Sequence, residues 1–166
     1  MSSQAIASFA ATAQALCAWA EGMPSTPASE ASRARVLLAA LYDGALALPA
    51  STVTDEPSPP RIGQEAWSAL YRRFGALPVG MYACCLEPLT IPPAESTLGD
   101  LADDLADIYR DLHAGLLLYG DGRHDEAAWE WRFHFEVHCG QHALDALRAL
   151  HAFSSSSSAP SGSSAA

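Results

Sequence analysis

Proline placement divides this chain into two unlike halves. Of eleven prolines, ten lie before residue 94 and the eleventh is Pro160. A helix interior tolerates neither the missing N–H nor the ring. The stretch from Ala94 to Ala159 can therefore carry long helices, whereas the first half must be cut into shorter pieces.

The first piece, about Ser3 to Glu21, carries Ile6, Phe9, Ala13, Leu16 and Ala20 at three- and four-residue steps with Trp19 beside them, which predicts an amphipathic helix. Gly22 and Pro24 then stop it. A second helix opens at Thr26 with Pro27 in its first turn, carries Val36, Leu37, Ala40, Leu41 and Ala45, and ends near Leu48-Pro49. Residues 50 to 62 hold Pro57, Pro59 and Pro60 among polar residues and read as a surface loop. A third helix spans about Gln64 to Phe74, with Trp67, Leu70, Tyr71 and Phe74 on one side. Residues 76 to 93, including Met81 to Leu86, fit either a turn of helix or a short extended run.

The fourth helix has the strongest pattern. Thr97 followed by Asp100 resembles a capping box, and Leu98, Leu101, Leu105, Ile108 and Leu112 step as an apolar seam. The helix ends at Tyr119-Gly120-Asp121-Gly122. From His124 to Phe153 the pattern is double. Trp129, Trp131, Phe133, Phe135, Val137 and Cys139 alternate with polar residues as in a strand, yet the flanks are good helix. A lone buried strand would leave backbone groups unpaired at roughly 1–3 kcal/mol each. The expectation is one long central helix, weakened or bent at Gly140.

The chain thus predicts a single all-α domain, residues 1–153, a bundle of about five helices with a long central C-terminal helix. Ser154 to Ala166, with eight serines among thirteen residues, reads as a disordered tail. Net charge is −10, with nine cations, all arginine, against nineteen acids, which argues against nucleic acid or an anionic membrane as partner. There is no apolar run near 18 residues and no basic start, so a soluble cytoplasmic protein is expected. Cys17, Cys84, Cys85 and Cys139 contain no C-x-x-C pair and read as small buried or half-buried hydrophobes.

At 100° per residue, Asp100, Asp104, Asp107 and Asp111 share one face of the fourth helix, with Asp103 beside them. Their mutual repulsion amounts to about 1–2.5 kcal/mol over five neighbouring pairs. Either the face is solvated, or arginines and an external cation or basic group offset it. The last helix offers the complement. Glu130, His134, His138 and His142 form a four-residue ridge, and Arg132 pairs with Glu136 at i,i+4. A charged network between the two helices is therefore expected from Asp100, Asp103, Asp104, Asp107, Arg110, Asp111, Glu130, Arg132 and Glu136, with Arg132 meeting the aspartates. His113, His124 and His151 lack such company and read as surface residues. No phosphate-binding glycine loop or G-x-S-x-G is present.

Three functions remain open. The leading one is a non-enzymatic binding or regulatory module for a small ligand or protein. The second is a hydrolase dependent on a divalent metal held by Asp103, Asp104 and Asp107 with His138 or His142. The third is a homodimer built on the aromatic helix.

The run Leu98 to Leu112, then Gly115-Leu116, Ala128-Trp129-Glu130-Trp131-Arg132-Phe133-His134-Phe135-Glu136, and His138-Cys139-Gly140-Gln141-His142, resembles the bacterial family catalogued as domain of unknown function 5063. The resemblance covers most of residues 5 to 152. It implies a small helical bacterial protein, favours helix over strand at 129–139, and implies no reaction. Cys139 stands where the family usually has Trp, and Ala83 to Leu86 replace a more aromatic stretch.

Overall fold

Helix α1 (Ser2–Glu21) buries the predicted stripe, with Ile6, Phe9, Ala13, Leu16 and Ala20 withdrawn from solvent. The computed structural model describes residues 2–50, 53, 59–92 and 95–157. Helix α2 (Pro27–Leu46) starts at an N-cap, Thr26, whose side chain accepts from the Ser29 N–H, with proline in the first turn. It turns Leu37, Leu38 and Leu41 inward, while Val36 and Ala40, expected on the inner face, point to solvent. Helix α3 (Gln64–Phe74) buries Leu70 and Phe74. Much of the proline-rich loop before it lies outside the described residues.

The segment left open by sequence forms an antiparallel ribbon of β1 (Met81–Cys84) and β2 (Thr97–Asp100), with Met81 opposite Asp100 and Cys84 opposite Thr97. This corrects the expected start of the fourth helix. Thr97 is in the strand rather than at a cap, and Leu98 is 71% exposed rather than in the seam. Helix α4 (Leu101–Gly120) is capped by Asp100, whose carboxylate accepts from the Ala102 N–H at 3.0 Å. Pairing of β2 with β1 competes with local capping geometry for these residues, and a distant partner wins.

Helix α4 is the most enclosed element, packed against α1, α3, α5 and α6. It ends in a tight turn in which Gly122 takes the left-handed φ of 79°. The chain returns as α5 (His124–His134), a π-helical turn (Phe135–Cys139) and α6 (Gly140–Ser157). These three run on as one helix beside α4, so the described residues form a five-helix bundle with one small ribbon, and the strand reading of 129–139 falls away. The Gly140 N–H donates to the Phe135 carbonyl five residues back. A Cβ at Gly140 would collide with that same oxygen, so glycine permits the wider turn. The helix continues four residues past Phe153, where Ser154 and Ser155 hydroxyls donate to Leu150 and His151 carbonyls at 2.9 and 3.1 Å. Residues 158–166 of the expected tail lie outside the described residues.

Trp131 explains how an aromatic-rich helix packs in only one way. Its indole is buried against Phe9, with ring centroids 5.0 Å apart, and donates from Nε1 to the Leu112 carbonyl at 3.0 Å. Trp129 and Phe133 stack on each other on the outer side, the latter exposed. The four cysteines are free, three of them buried. Burial first, then Glu21, pushes the Cys17 thiol up to about 12. Among the described residues no helix is long and apolar enough to cross a membrane.

Candidate functional site

The aspartate face of α4 meets the histidine ridge of the C-terminal helix along a polar seam. A four-residue ridge advances about 40° per step in an α-helix. The π turn lies between His134 and Gly140 and winds more widely, which counters that drift where the ridge faces α4. His134, His138 and His142 consequently all reach carboxylates of α4 or Glu130.

Asp104 and Asp111 are buried on the inner wall. Asp104 accepts from the Tyr82 hydroxyl through Oδ2 and pairs with His142 Nδ1 through Oδ1 at 2.6 Å. Burial first, then that hydrogen bond, raises the Tyr82 pKa and keeps the phenol protonated as a donor. Asp111 pairs with His138 Nδ1 at 2.7 Å through Oδ2 and accepts from Arg61 Nη1 at 3.0 Å through Oδ1. Arg61 also donates from Nη2 to buried Glu130 at 2.6 Å and sits against His134 Nε2. His134 Nε2 is in turn 3.2 Å from Glu130.

Between the two buried carboxylates, His138 and His142 turn their Nε2 atoms toward each other, 3.3 Å apart. Asp107 closes the third side, with Oδ2 at 3.4 Å from His138 Nε2. One ligand atom from each of Asp107, His138 and His142 lies within 4.8 Å of the others. Trp67 Nε1 donates to the second Asp107 oxygen at 2.7 Å, and Arg110 Nη2 is 3.1 Å from Oδ2. The hydrogen bond to Asp104 raises the His142 pKa against opposing burial. Burial, with Asp107 and Asp104 nearby, raises that of Asp103.

The remaining expected residues stand elsewhere. Asp100 caps α4 and accepts from the Tyr71 hydroxyl at 2.7 Å. Asp103 is half-buried beside Asp107 but belongs to no ligand cluster found among the described residues. Asp104 faces His142 Nδ1 rather than the shared centre. Arg132 does not meet the aspartates. It pairs with exposed Glu136 at 2.9 Å and donates to the Leu48 carbonyl at 2.9 Å, on the side facing α2. Its direction around the helix carries it away from α4, and Arg61 takes the place expected for it. His113 is half-buried and stacks on Tyr109 rather than standing on the surface, whereas His124, which stacks on Tyr119, and His151 are exposed as expected.

Two groups were hidden from sequence reasoning. Arg61 stands fifty residues from Asp111; its only local signal is the stiff Pro59-Pro60 pair that delivers it to the start of α3. The second is a buried network where α1, α2 and α3 meet. Glu30 accepts from Trp19 Nε1 at 2.9 Å, Ser25 N at 3.0 Å and Arg73 Nη2 at 2.5 Å. Burial alone would raise the Glu30 pKa, but Ser25 and Arg73 outweigh it and bring the carboxyl down to about 2.

A family model described as Domain of unknown function (DUF5063) matches residues 1–156. No curated protein matches the chain. The crystal structure of protein BF1032 from Bacteroides fragilis is similar, with a TM-score of 0.72 and 22% identity, covering 87% of this chain and 91% of that one. A likeness at that identity carries the fold alone.

Proposed function

This chain belongs to the DUF5063 family, and from the geometry of its polar seam we propose that it is a binding module for a divalent transition metal, held by Asp107, His138 and His142. Asp104 and Asp111 act as positioning residues behind the two imidazoles. The observation that carries this reading is the facing pair of Nε2 atoms. Two nitrogens 3.3 Å apart, each about 2.05 Å from a zinc ion, subtend about 107° at the metal. The 3.4 Å between His138 Nε2 and Asp107 Oδ2 corresponds to about 110°. Both values are close to tetrahedral, whereas the third edge, Asp107 to His142, is longer, within 4.8 Å, and shortens when the carboxylate swings onto the ion.

Electrostatics support the same occupant. The Nδ1 atoms of both rings are committed to buried carboxylates, which leaves the two Nε2 atoms facing one shared centre. A metal accepts both lone pairs at once. The seam also holds four carboxylates, Asp104, Asp107, Asp111 and Glu130, against the two guanidiniums of Arg61 and Arg110. Carboxylates outnumber guanidiniums there, with Asp103 standing beside Asp107 as well, and this excess of negative charge favours a cation. The proposed ligand set is narrower than the one expected from sequence, keeping Asp107, His138 and His142 without Asp103 and Asp104.

Protein stripped by a chelator and then incubated with zinc should retain about one zinc per chain after gel filtration. At a hundredfold excess over Kd, binding should raise the melting temperature by roughly 5–10 °C. His142→Ala should abolish both effects, and Asp104→Asn should weaken zinc binding about 10–100-fold with circular dichroism unchanged. No retained zinc and no thermal shift would overturn the reading.

A further inference from the structure

Three protein ligands leave a tetrahedral ion one position short, the arrangement of sites that admit an exchangeable ligand. The surroundings of that position select its chemistry. A groove of about 560 Å³ opens beside the seam, lined by Arg61, Ile62, Arg110, Asp111, His134, Val137 and His138. Asp111 forms part of the groove's floor, but its side chain and that of Glu130 are only 2% exposed, whereas the Arg61 and Arg110 side chains are 34% and 31% exposed. Negative charge thus sits on the inner wall and positive charge on the rim. Arg110 reaches the same Asp107 oxygen that stands against His138 Nε2, so its guanidinium is a single atom removed from the metal position.

Resting on the metal reading above, we infer that the groove takes an oxyanion, a carboxylate or phosphate group, bound at once by the metal and by Arg110, with its organic body against Ile62 and Val137. Arg110 and Arg61 offer N–H donors beyond those spent on Asp107, Asp111 and Glu130, in the fork geometry that suits such groups. Val137 lies 61% exposed in the π turn, an apolar wall for the non-ionic part of the ligand.

The test uses the full chain loaded with one equivalent of cobalt(II), whose visible bands respond to ligand exchange, and in parallel the zinc form for calorimetry. Inorganic phosphate and acetate separate the two oxyanion classes, and phenyl phosphate and benzoate report the apolar wall. At least one class should perturb the cobalt bands and bind the zinc form at least tenfold more tightly than the metal-free protein. The aryl member should bind more tightly than its parent ion. Arg110→Gln should lose at least tenfold in oxyanion affinity, with Arg110→Lys recovering part of it. Metal retained with unchanged bands on adding all four probes overturns the oxyanion site while leaving the metal reading standing. Failure to take up metal overturns both. Because the wild-type comparison of loaded and metal-free protein is decisive by itself, the outcome survives a variant that disturbs Asp107.

Discussion

Replacing Arg61 by methionine tests whether the seam is held together by a cation from a distant loop. The guanidinium bridges Asp111 at 3.0 Å and Glu130 at 2.6 Å, two carboxylates with side chains 2% exposed. Stranding one partner of a buried pair costs about 3–5 kcal/mol. The cost here is smaller, because Arg61 itself is partly solvated, Asp111 keeps His138 at 2.7 Å, and Glu130 keeps His134 at 3.2 Å. The expected loss is about 2–3 kcal/mol at pH 7, which for a domain of this size lowers the melting temperature by roughly 4–12 °C. Scanning calorimetry in the presence of a chelator measures it without interference from metal. The double variant Arg61→Met with Glu130→Gln should regain at least about 1 kcal/mol, since it removes one of the stranded charges. A loss below about 0.5 kcal/mol, typical of a solvated surface pair, would refute the assignment of Arg61 as the counter-ion of the seam.

Two further outcomes follow from other parts of the fold. Glu30 titrates at about 2 when folded against an ordinary value of 4.5, so folding favours its charged form. That contribution, about 3 kcal/mol as an upper bound, is complete above pH 4.5 and disappears as pH falls through 2; Glu30→Gln should flatten the acid limb of stability measured by urea unfolding, and an unchanged limb would contradict the network. At Gly115 a Cβ would fall 2.6 Å from Cε2 of buried Trp131. Gly115→Ala should therefore cost about 3 kcal/mol by denaturant titration and shift indole fluorescence, whereas a neutral effect would mean that the indole can move aside.

The difference between what was legible and what was hidden tracks the range of the interactions involved. Helix α3 and the Thr26 cap of α2 follow from spacing and capping chemistry within a few residues, which is why they coincide with expectation. The strand at Thr97–Asp100 does not, because its hydrogen bonds go to Met81–Cys84 across a connection that no local pattern encodes. The preference for helix at 129–139 rested on the cost of an unpartnered strand, and among the described residues the only strands pair with each other; the π turn inside it was not foreseeable from hydrophobic spacing. In the seam, sequence placed Asp104, Asp107, Asp111, His138 and His142 on faces that could meet. It also assigned the counter-charge to Arg132, which points toward α2 and bonds Leu48 instead.

By itself, then, the sequence determined the existence of the helices, the ends of α1 and α3 and the start of α2, and that one helix carries acids and the other imidazoles on a single ridge, because periodicity and capping are properties of neighbours in the chain. Tertiary structure alone decided that Asp104 and Asp111 stand behind the histidines while Asp107 stands beside them, and that Arg61 rather than Arg132 supplies the charge. Those choices depend on distances between elements, to within an ångström or so, and such distances are fixed only when the helices pack.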